Sequence, residues 1–287
     1  MLLQPLFTAP IRSQTYLYPG YDDHASDVWR VQTDEEDVIV RRSRITDYPA
    51  NPFHTGIWNL FGVDPRRVAD LQPLNAQLAA ISPIPIPQVL RTGTIDGVDY
   101  AVLECMPGER LRSFTGDARM EGLGEALARI HSLRMDACGN PAGTFRYPLA
   151  EFPKRLAGTF RAFATGDAGP LASLELMCEA ALSLRPPEWG ALILPDMDAS
   201  QFLTDGERIT ALVDTEFYAV GPRELDFVAL EFVLDEAAAA ALARGYERIL
   251  PIPDLAAVRP IYRYLYRLME IQGRVPLDEW MSRPTRF

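Results

Sequence analysis

Lysine is almost absent from this chain. Lys154 is the only one in 287 residues, so arginine supplies the rest of the 28 basic side chains. Histidine and cysteine are equally sparse, at three each. Cys105, Cys138 and Cys178 are scattered, odd in number and without ligand spacing, which excludes a disulfide framework and makes a zinc site improbable. Cys105 lies in an apolar run and reads as a small core residue. Neither Ser26 nor Ser200 has a histidine at a telling spacing, so a serine hydrolase is unsupported. No apolar run approaches the ~20 residues that a membrane helix needs. The segment from Met1 to Arg12 lacks a charged start and carries Pro5 and Pro10, a poor signal peptide. The expected location is the cytoplasm. Internal repeats are lacking too, and the only biased tract is the short run Ala237 to Ala241. Positive charge is outnumbered, 28 basic against 39 acidic side chains, for a net charge of -11. That balance argues against a nucleic-acid binder, because phosphate backbones call for Lys and Arg. It permits a cationic substrate, although solubility alone accounts for the total.

What is present is an ordinary globular composition, 48% hydrophobic and 23% charged. The pattern changes once, near residue 104. Before it, Asp27 to Thr33 and Asp37 to Arg42 are rich in Val and Ile and flank Asp34-Glu35-Glu36, which predicts a hairpin. Pro65 to Ile81 has helical character interrupted by Pro73. The stretch around His54 reads as a loop. Ile84 to Pro87 is extended, and Val89 to Ile95 and Val98 to Glu104 bracket the hairpin turn Asp96-Gly97. After residue 104, helical periodicity appears at Glu121 to Leu133, Leu171 to Leu184, Asp235 to Arg248 and Ile261 to Ile271. The expected architecture is α+β and two-lobed, a small β-rich N-lobe (1–103) and a larger helical C-lobe (104–287) with a cleft between them, a common place for small ligands.

Within the helical half, Gln201 to Val213 reads as a small hairpin turning at Asp205-Gly206-Glu207. Gln201 opens its first strand and Asp214 follows its second, so both lie at the open end. Asp196 and Asp198 occupy the loop just before. Hard oxygen ligands gathered there suit Mg²⁺, which takes one or two carboxylates and leaves places for phosphate oxygens. A further carboxylate can accept a proton from an attacking hydroxyl. Metal, hydroxyl-positioning base and phosphate clamp are the parts of phosphoryl transfer.

The stretch Leu194-Pro195-Asp196-Met197-Asp198-Ala199-Ser200-Gln201-Phe202-Leu203 resembles the catalytic loop of the aminoglycoside/choline phosphotransferase family, which has a protein-kinase-like fold. Ala211-Leu212-Val213-Asp214-Thr215-Glu216-Phe217 is similar to its metal-binding segment, and Gly221-Pro222-Arg223-Glu224-Leu225-Asp226 resembles the continuation of that segment. Weaker likenesses fall in the right order: the strand and hinge from Tyr100 to Glu109, the helix from Gly124 to His131, and the proline pair Pro85 and Pro87. The resemblance implies an ATP- and Mg-dependent phosphotransferase acting on a hydroxyl of a small molecule. It makes Asp196 the catalytic base, Gln201 and Asp214 the metal ligands and Asp226 a brace for the loop. Residues 104 to 106, with Glu104 and Met106, would offer backbone groups to adenine. Glu216 would assist a second metal or hold the loop.

The pattern departs from the family at several positions. Leu194, Pro195 and Gln201 stand where His, Gly and Asn are usual, and the ATP-clamping lysine is missing. Arg41, on the strand from Val38 to Arg42, takes its place and can grip phosphate in bidentate fashion. The sequence leaves the acidic partner of Arg41 open, with Asp70 the only carboxylate in a plausible place on the helix before Pro85. The phosphate-covering loop would be Pro19 to Ser26, with one glycine and two acids. His24 reads as a solvated loop residue, and His131 as a partner of its helix dipole. These departures keep two other readings open. One is a non-catalytic kinase-like module that binds a metabolite or protein partner; the other is transfer of a nucleotide rather than a phosphate. Asp136, Glu151 and Asp167 are compatible with a cationic acceptor.

Overall fold

The computed structural model describes residues 3–18, 24–165 and 171–287, so residues 19–23 of the expected phosphate-covering loop lie outside the described residues. Three strands open the fold, β1 (Ser13–Tyr16), β2 (Ser26–Gln32) and β3 (Asp37–Ser43). Helices α1 (Pro52–Phe61) and α2 (Leu71–Ile81) follow, then β4 (Val89–Ile95), β5 (Val98–Glu104) and the short β6 (Glu109–Arg110). The five long strands form one antiparallel sheet in the order β1-β2-β3-β5-β4. Both expected hairpins are there. Asp96 and Gly97 both take positive φ, 51° and 78°, as a two-residue hairpin turn demands.

Alternation along β5 splits the sheet's apolar residues between its faces. Tyr100 and Val102 join Val31, Val38 and Val40 under a cover of Leu3, Phe7 and Ile11. Ala101 and Leu103 pack with Val68 and Leu71 on the other side.

The segment around His54 is helix α1 rather than a loop. Asn51 Oδ1 caps it by accepting the His54 N–H at 2.8 Å, Pro52 sits in the first turn, and Gly62 closes it at φ 64°. His54 is buried there, and burial pushes its imidazole down to about 4. Pro73 leaves α2 intact because it falls in the first turn, where its missing N–H has no intrahelical acceptor to lose. Although both helices precede the end of the sheet, Ile57, Leu60, Phe61, Leu74 and Leu78 belong to the large core of the helical half.

That half contains α3 (Asp117–His131), β7 (Ala137–Gly139), β8 (Arg146–Pro148), α4 (Phe152–Ala162), α5 (Leu171–Leu182) and β9 (Ala191–Ile193). Next come β10 (Phe202–Thr204), β11 (Ile209–Leu212), β12 (Ala219–Gly221), α6 (Glu224–Val233), α7 (Glu236–Tyr246), α8 (Arg259–Leu268) and α9 (Leu277–Met281). Two small sheets tie the loops together, β11-β10-β6 and β8-β7-β12-β9. The architecture is the α+β, kinase-like one expected, an antiparallel sheet followed by a helical region. No helix among the described residues is long and apolar enough to cross a membrane.

Helices α3 and α7 meet backbone to backbone at two glycines. A Cβ on Gly124 would run into the Leu242 carbonyl oxygen, and one on Gly245 into that of Glu121. Gly124→Val is therefore expected to cost about 3 kcal/mol in urea unfolding, the upper range for overpacking. Gly122→Ala, where the new methyl meets nothing within 4 Å, should instead gain about 0.5–1 kcal/mol from helix propensity.

Candidate active site

The site is built where β9 runs into the β10–β11 hairpin. After Ile193 the chain leaves the sheet, and Asp198 starts one short turn of 3-10 helix, Ala199–Gln201. Asp198 Oδ1 accepts the Ser200 N–H at 2.8 Å, and Gln201 Oε1 accepts the Asp198 N–H at 3.0 Å. Gln201 Nε2 also donates to the Asp196 carbonyl oxygen. Gln201 thus folds the loop around Asp196 with its own side chain. The hairpin pairs Phe202 with Leu212, and the Val213 N–H donates to the Gln201 carbonyl at 2.9 Å. That register brings Asp214 beside the loop. Asp196, Gln201 and Asp214 converge on one cleft of about 240 Å³, whose lining also includes Ala229 and Val233 of α6 with Ile271 and Gln272.

Four carboxylates lie together here. Burial and the charges of Asp214, Asp198 and Glu216 push the Asp196 carboxyl well above its ordinary range. One guanidinium answers them. Arg41, buried at the end of β3, pairs with Glu216 through Nη2 and lies 3.4 Å from Asp214 Oδ1 through Nη1. Ser26 Oγ accepts from Arg41 Nη2 at 2.9 Å and donates to Glu216 Oε2 at 3.1 Å. Burial works against the Arg41 charge, but Glu216 and Asp214 outweigh it and hold it above its ordinary value. Burial raises Glu216, with Arg41 opposing.

The acid that faces Arg41 is therefore Glu216, and Asp70 is not its partner. Asp70 precedes α2 and is taken by Arg67, three residues earlier, at 3.2 Å. Asn75 of α2 serves the site instead: its Oδ1 accepts the Thr215 hydroxyl at 2.6 Å while its Nδ2 donates to the Pro87 carbonyl at 2.8 Å. Glu104 and Met106 do not line the cleft with Asp196. Glu104 ends β5, its N–H spent on the Gln88 carbonyl at 2.9 Å, and Met106 lies two residues beyond. The Met106 amide has no hydrogen-bond partner among the described residues.

Two histidines differ from expectation. His24 is buried, within 2.8 Å of the Ser26 carbonyl and 2.7 Å of Arg44 Nη1. His131 is wholly buried, and its Nε2 faces Asp226 Oδ2 at 3.1 Å. Asp226 Oδ1 accepts the Leu194 N–H at 2.9 Å, so the backbone of Leu194 ties the loop down while its side chain fills the core.

The donor set fits Mg²⁺ in its chemistry. It offers the carboxylate oxygens of Asp196 and Asp214 and the amide oxygen of Gln201, the hard donors that this ion takes. No group of three His, Cys, Asp or Glu side chains that could hold a metal occurs among the described residues.

An antiparallel sheet leading into a helical body, with an acidic loop and hairpin at their junction, defines the class of kinase-like phosphotransferase folds. The chain belongs to the phosphotransferase enzyme family (APH), which its residues 21–261 match. Among solved structures it is similar to the macrolide 2'-phosphotransferase MphH of Brachybacterium faecium, at 17% identity and a TM-score of 0.61 over 98% of this chain and 97% of that one. It is also similar to the aminoglycoside phosphotransferase APH(4)-Ia, at 17% identity and a TM-score of 0.67 over 97% and 96%. The GDP complex of aminoglycoside 2'-phosphotransferase-IIIa aligns at 16% identity and a TM-score of 0.60 over 98% and 93%. At such identities the likeness is one of fold. No curated protein matches the sequence.

Two outcomes are expected from the crowding of charge. The raised carboxyl of Asp196 favours its protonated form in the folded state, so its contribution is full at low pH and lost as pH rises through its folded value. Asp196→Asn should raise the melting temperature by about 2–4 °C at pH 8 and by less at pH 5, read by scanning calorimetry. An equal gain at both pH values would contradict this. Arg41→Ala leaves Glu216 buried without its cation, at a cost of about 3 kcal/mol at pH 9. The loss should shrink below pH 7, because Glu216 is raised to about 7 even beside Arg41 and is protonated in both proteins at lower pH, as denaturant titrations at pH 9 and pH 6 would report.

Proposed function

We propose that this protein transfers the terminal phosphoryl group of ATP, with Mg²⁺, to a hydroxyl of a small molecule. The observation that carries the proposal is the convergence of Asp196, Gln201 and Asp214 on one cleft that Ala229, Val233, Ile271 and Gln272 also line. In this reading Asp196 accepts the proton of the attacking hydroxyl, a task for which a raised carboxyl is better matched than an ordinary one. Asp214 would hold the metal together with Gln201, whose Oε1 accepts the Asp198 N–H and keeps a further lone pair. Bound there, the metal would supply neutralising charge to the phosphates. Arg41 grips a phosphate from the sheet side; its Nε has no hydrogen-bond partner among the described residues. The free amide of Met106 receives adenine, with Glu104 beside it, and the boundary between the two lobes falls at residues 103 and 104.

The acceptor lies between the Asp196 loop and the wall of Ala229, Val233, Ile271 and Gln272. Asp198 at the rim suits a cationic acceptor. The cytoplasm, with its supply of ATP, is the location that goes with this chemistry.

A second reading rests on Arg41. Its guanidinium is already occupied by Glu216, Asp214 and Ser26, as in a module that binds a metabolite or protein partner without catalysis. Calorimetric titration with ATP separates the two. Phosphotransfer requires binding that depends on Mg²⁺ and weakens at least about tenfold in Asp214→Ala. It also requires slow hydrolysis of radiolabelled ATP that falls about 100-fold or more in Asp196→Asn. Failure to bind Mg·ATP at millimolar concentration would leave the binding module standing, and intact-mass analysis of products distinguishes phosphate from nucleotide transfer.

A further inference from the structure

Four side chains that the proposed reaction does not use form one buried row ending at the catalytic loop. Arg223 Nη1 donates to the Tyr246 hydroxyl at 2.8 Å and to the Pro251 carbonyl at 2.9 Å. The Tyr246 oxygen lies 3.0 Å from His131 Nδ1, and His131 Nε2 lies 3.1 Å from Asp226 Oδ2. Asp226 Oδ1 then accepts the Leu194 N–H at 2.9 Å. Tyr246, His131 and Asp226 are wholly buried, and Arg223 is 8% exposed.

The order of donors along this row is fixed by its first member. A guanidinium has only donors, so Arg223 takes a lone pair of the Tyr246 oxygen. The Tyr246 proton is left for His131 Nδ1, which must accept, and the ring proton then sits on Nε2 and points at the carboxylate. In that order the Tyr246 hydroxyl and the His131 Nε2–H each meet an acceptor. Trp189 Nε1 holds the same residue from outside by donating to the His131 carbonyl at 3.3 Å.

Asp226 is where the row acts on the loop. Its carboxylate is out of contact with water and receives two donors, the Leu194 amide and the His131 ring. Burial raises its carboxyl, and the hydrogen bond from His131 opposes that. An ionised carboxylate holds a backbone N–H more strongly than a protonated one. Leu194 stands two residues before Asp196, and its aliphatic side chain offers no other polar anchor.

We propose that His131 is a positioning residue: by orienting and satisfying Asp226, it fixes the Leu194 amide and through it the place of Asp196. Arg223 and Tyr246 set the ring that does this. The proposal rests on the reading of Asp196 as the carboxylate that meets the acceptor hydroxyl.

The test uses the full chain with His131→Leu, which removes the donor, and His131→Gln, whose amide N–H can reach Asp226 in place of Nε2. Hydrogen exchange of residues 192–203 reads the loop, exchange of residues 98–104 serves as control, and hydrolysis of Mg·ATP reads the reaction. In His131→Leu, loop exchange should quicken and kcat fall, each by about tenfold or more, the scale of one lost bond to a buried charge. KM for ATP should stay within about twofold, and residues 98–104 should not change, because neither depends on Asp226. His131→Gln should recover most of both effects. A residue that only fills space would be no better replaced by Gln than by Leu, and that result overturns the proposal. So does unchanged exchange of residues 192–203 in His131→Leu. If that variant does not fold, Tyr246→Phe carries the same comparison, with intermediate loop exchange expected and wild-type exchange counting against the proposal. A wild type that hydrolyses no ATP, with the exchange pattern as described, removes the phosphotransfer reading and leaves the brace.

Discussion

A guanidinium stays charged when it is removed from water, so it needs carboxylates to offset the cost of its burial, and Arg41 is buried at the point where the sheet meets the helical half. Its pair with Glu216 sets the rest of the site. It draws the segment after β11 against β3, which puts Asp214 within 3.4 Å of the same cation. It also concentrates negative charge near Asp196, which adds to the burial that raises that carboxyl. Water would screen such a cluster on the surface; in the cleft the interactions are strong in both directions. A chain with one lysine has no compact ammonium to place there, and arginine's several donors let one residue hold Glu216, Asp214 and Ser26 at once.

Local order was legible in the sequence wherever it is written in neighbouring residues. The β4–β5 hairpin came from Asp96-Gly97, and the β10–β11 hairpin from two apolar runs around Asp205-Gly206-Glu207, so the meeting of Gln201 and Asp214 could be expected from the sequence alone. Helix α1 was not, although its signals, Asn51-Pro52 ahead and Gly62 behind, are ordinary start and stop residues. Pro52, just before the stretch around His54, reads as a loop residue and so hid a helix whose buried face packs into the large core.

Partnerships between distant residues were illegible for a different reason. Arg41 and Glu216 are 175 positions apart, and nothing in either neighbourhood names the other. Asp70 has the right charge and place for Arg41, but Arg67, three positions away, competes for it and wins. His131 had a sufficient local explanation at a helix end, which hid a partner 95 positions away. Burial decides such cases, since a polar group without water must find whichever partner the fold brings near.

The two-glycine contact of α3 with α7 has a consequence for the order in which the molecule comes into being. Tyr246 ends α7, so the ring of His131 gains its hydroxyl partner only when α7 docks through Gly124 and Gly245. A ribosome releases the Asp196 loop well before residue 246. During that interval the acidic loop exists without Tyr246, and until Glu224–Val233 emerges it exists without Asp226 as well. The nascent chain therefore carries a sheet that can already form while its carboxylates are still loosely held, and the closing of one helix pair, late in synthesis, turns the loop from a charged tether into a fixed site.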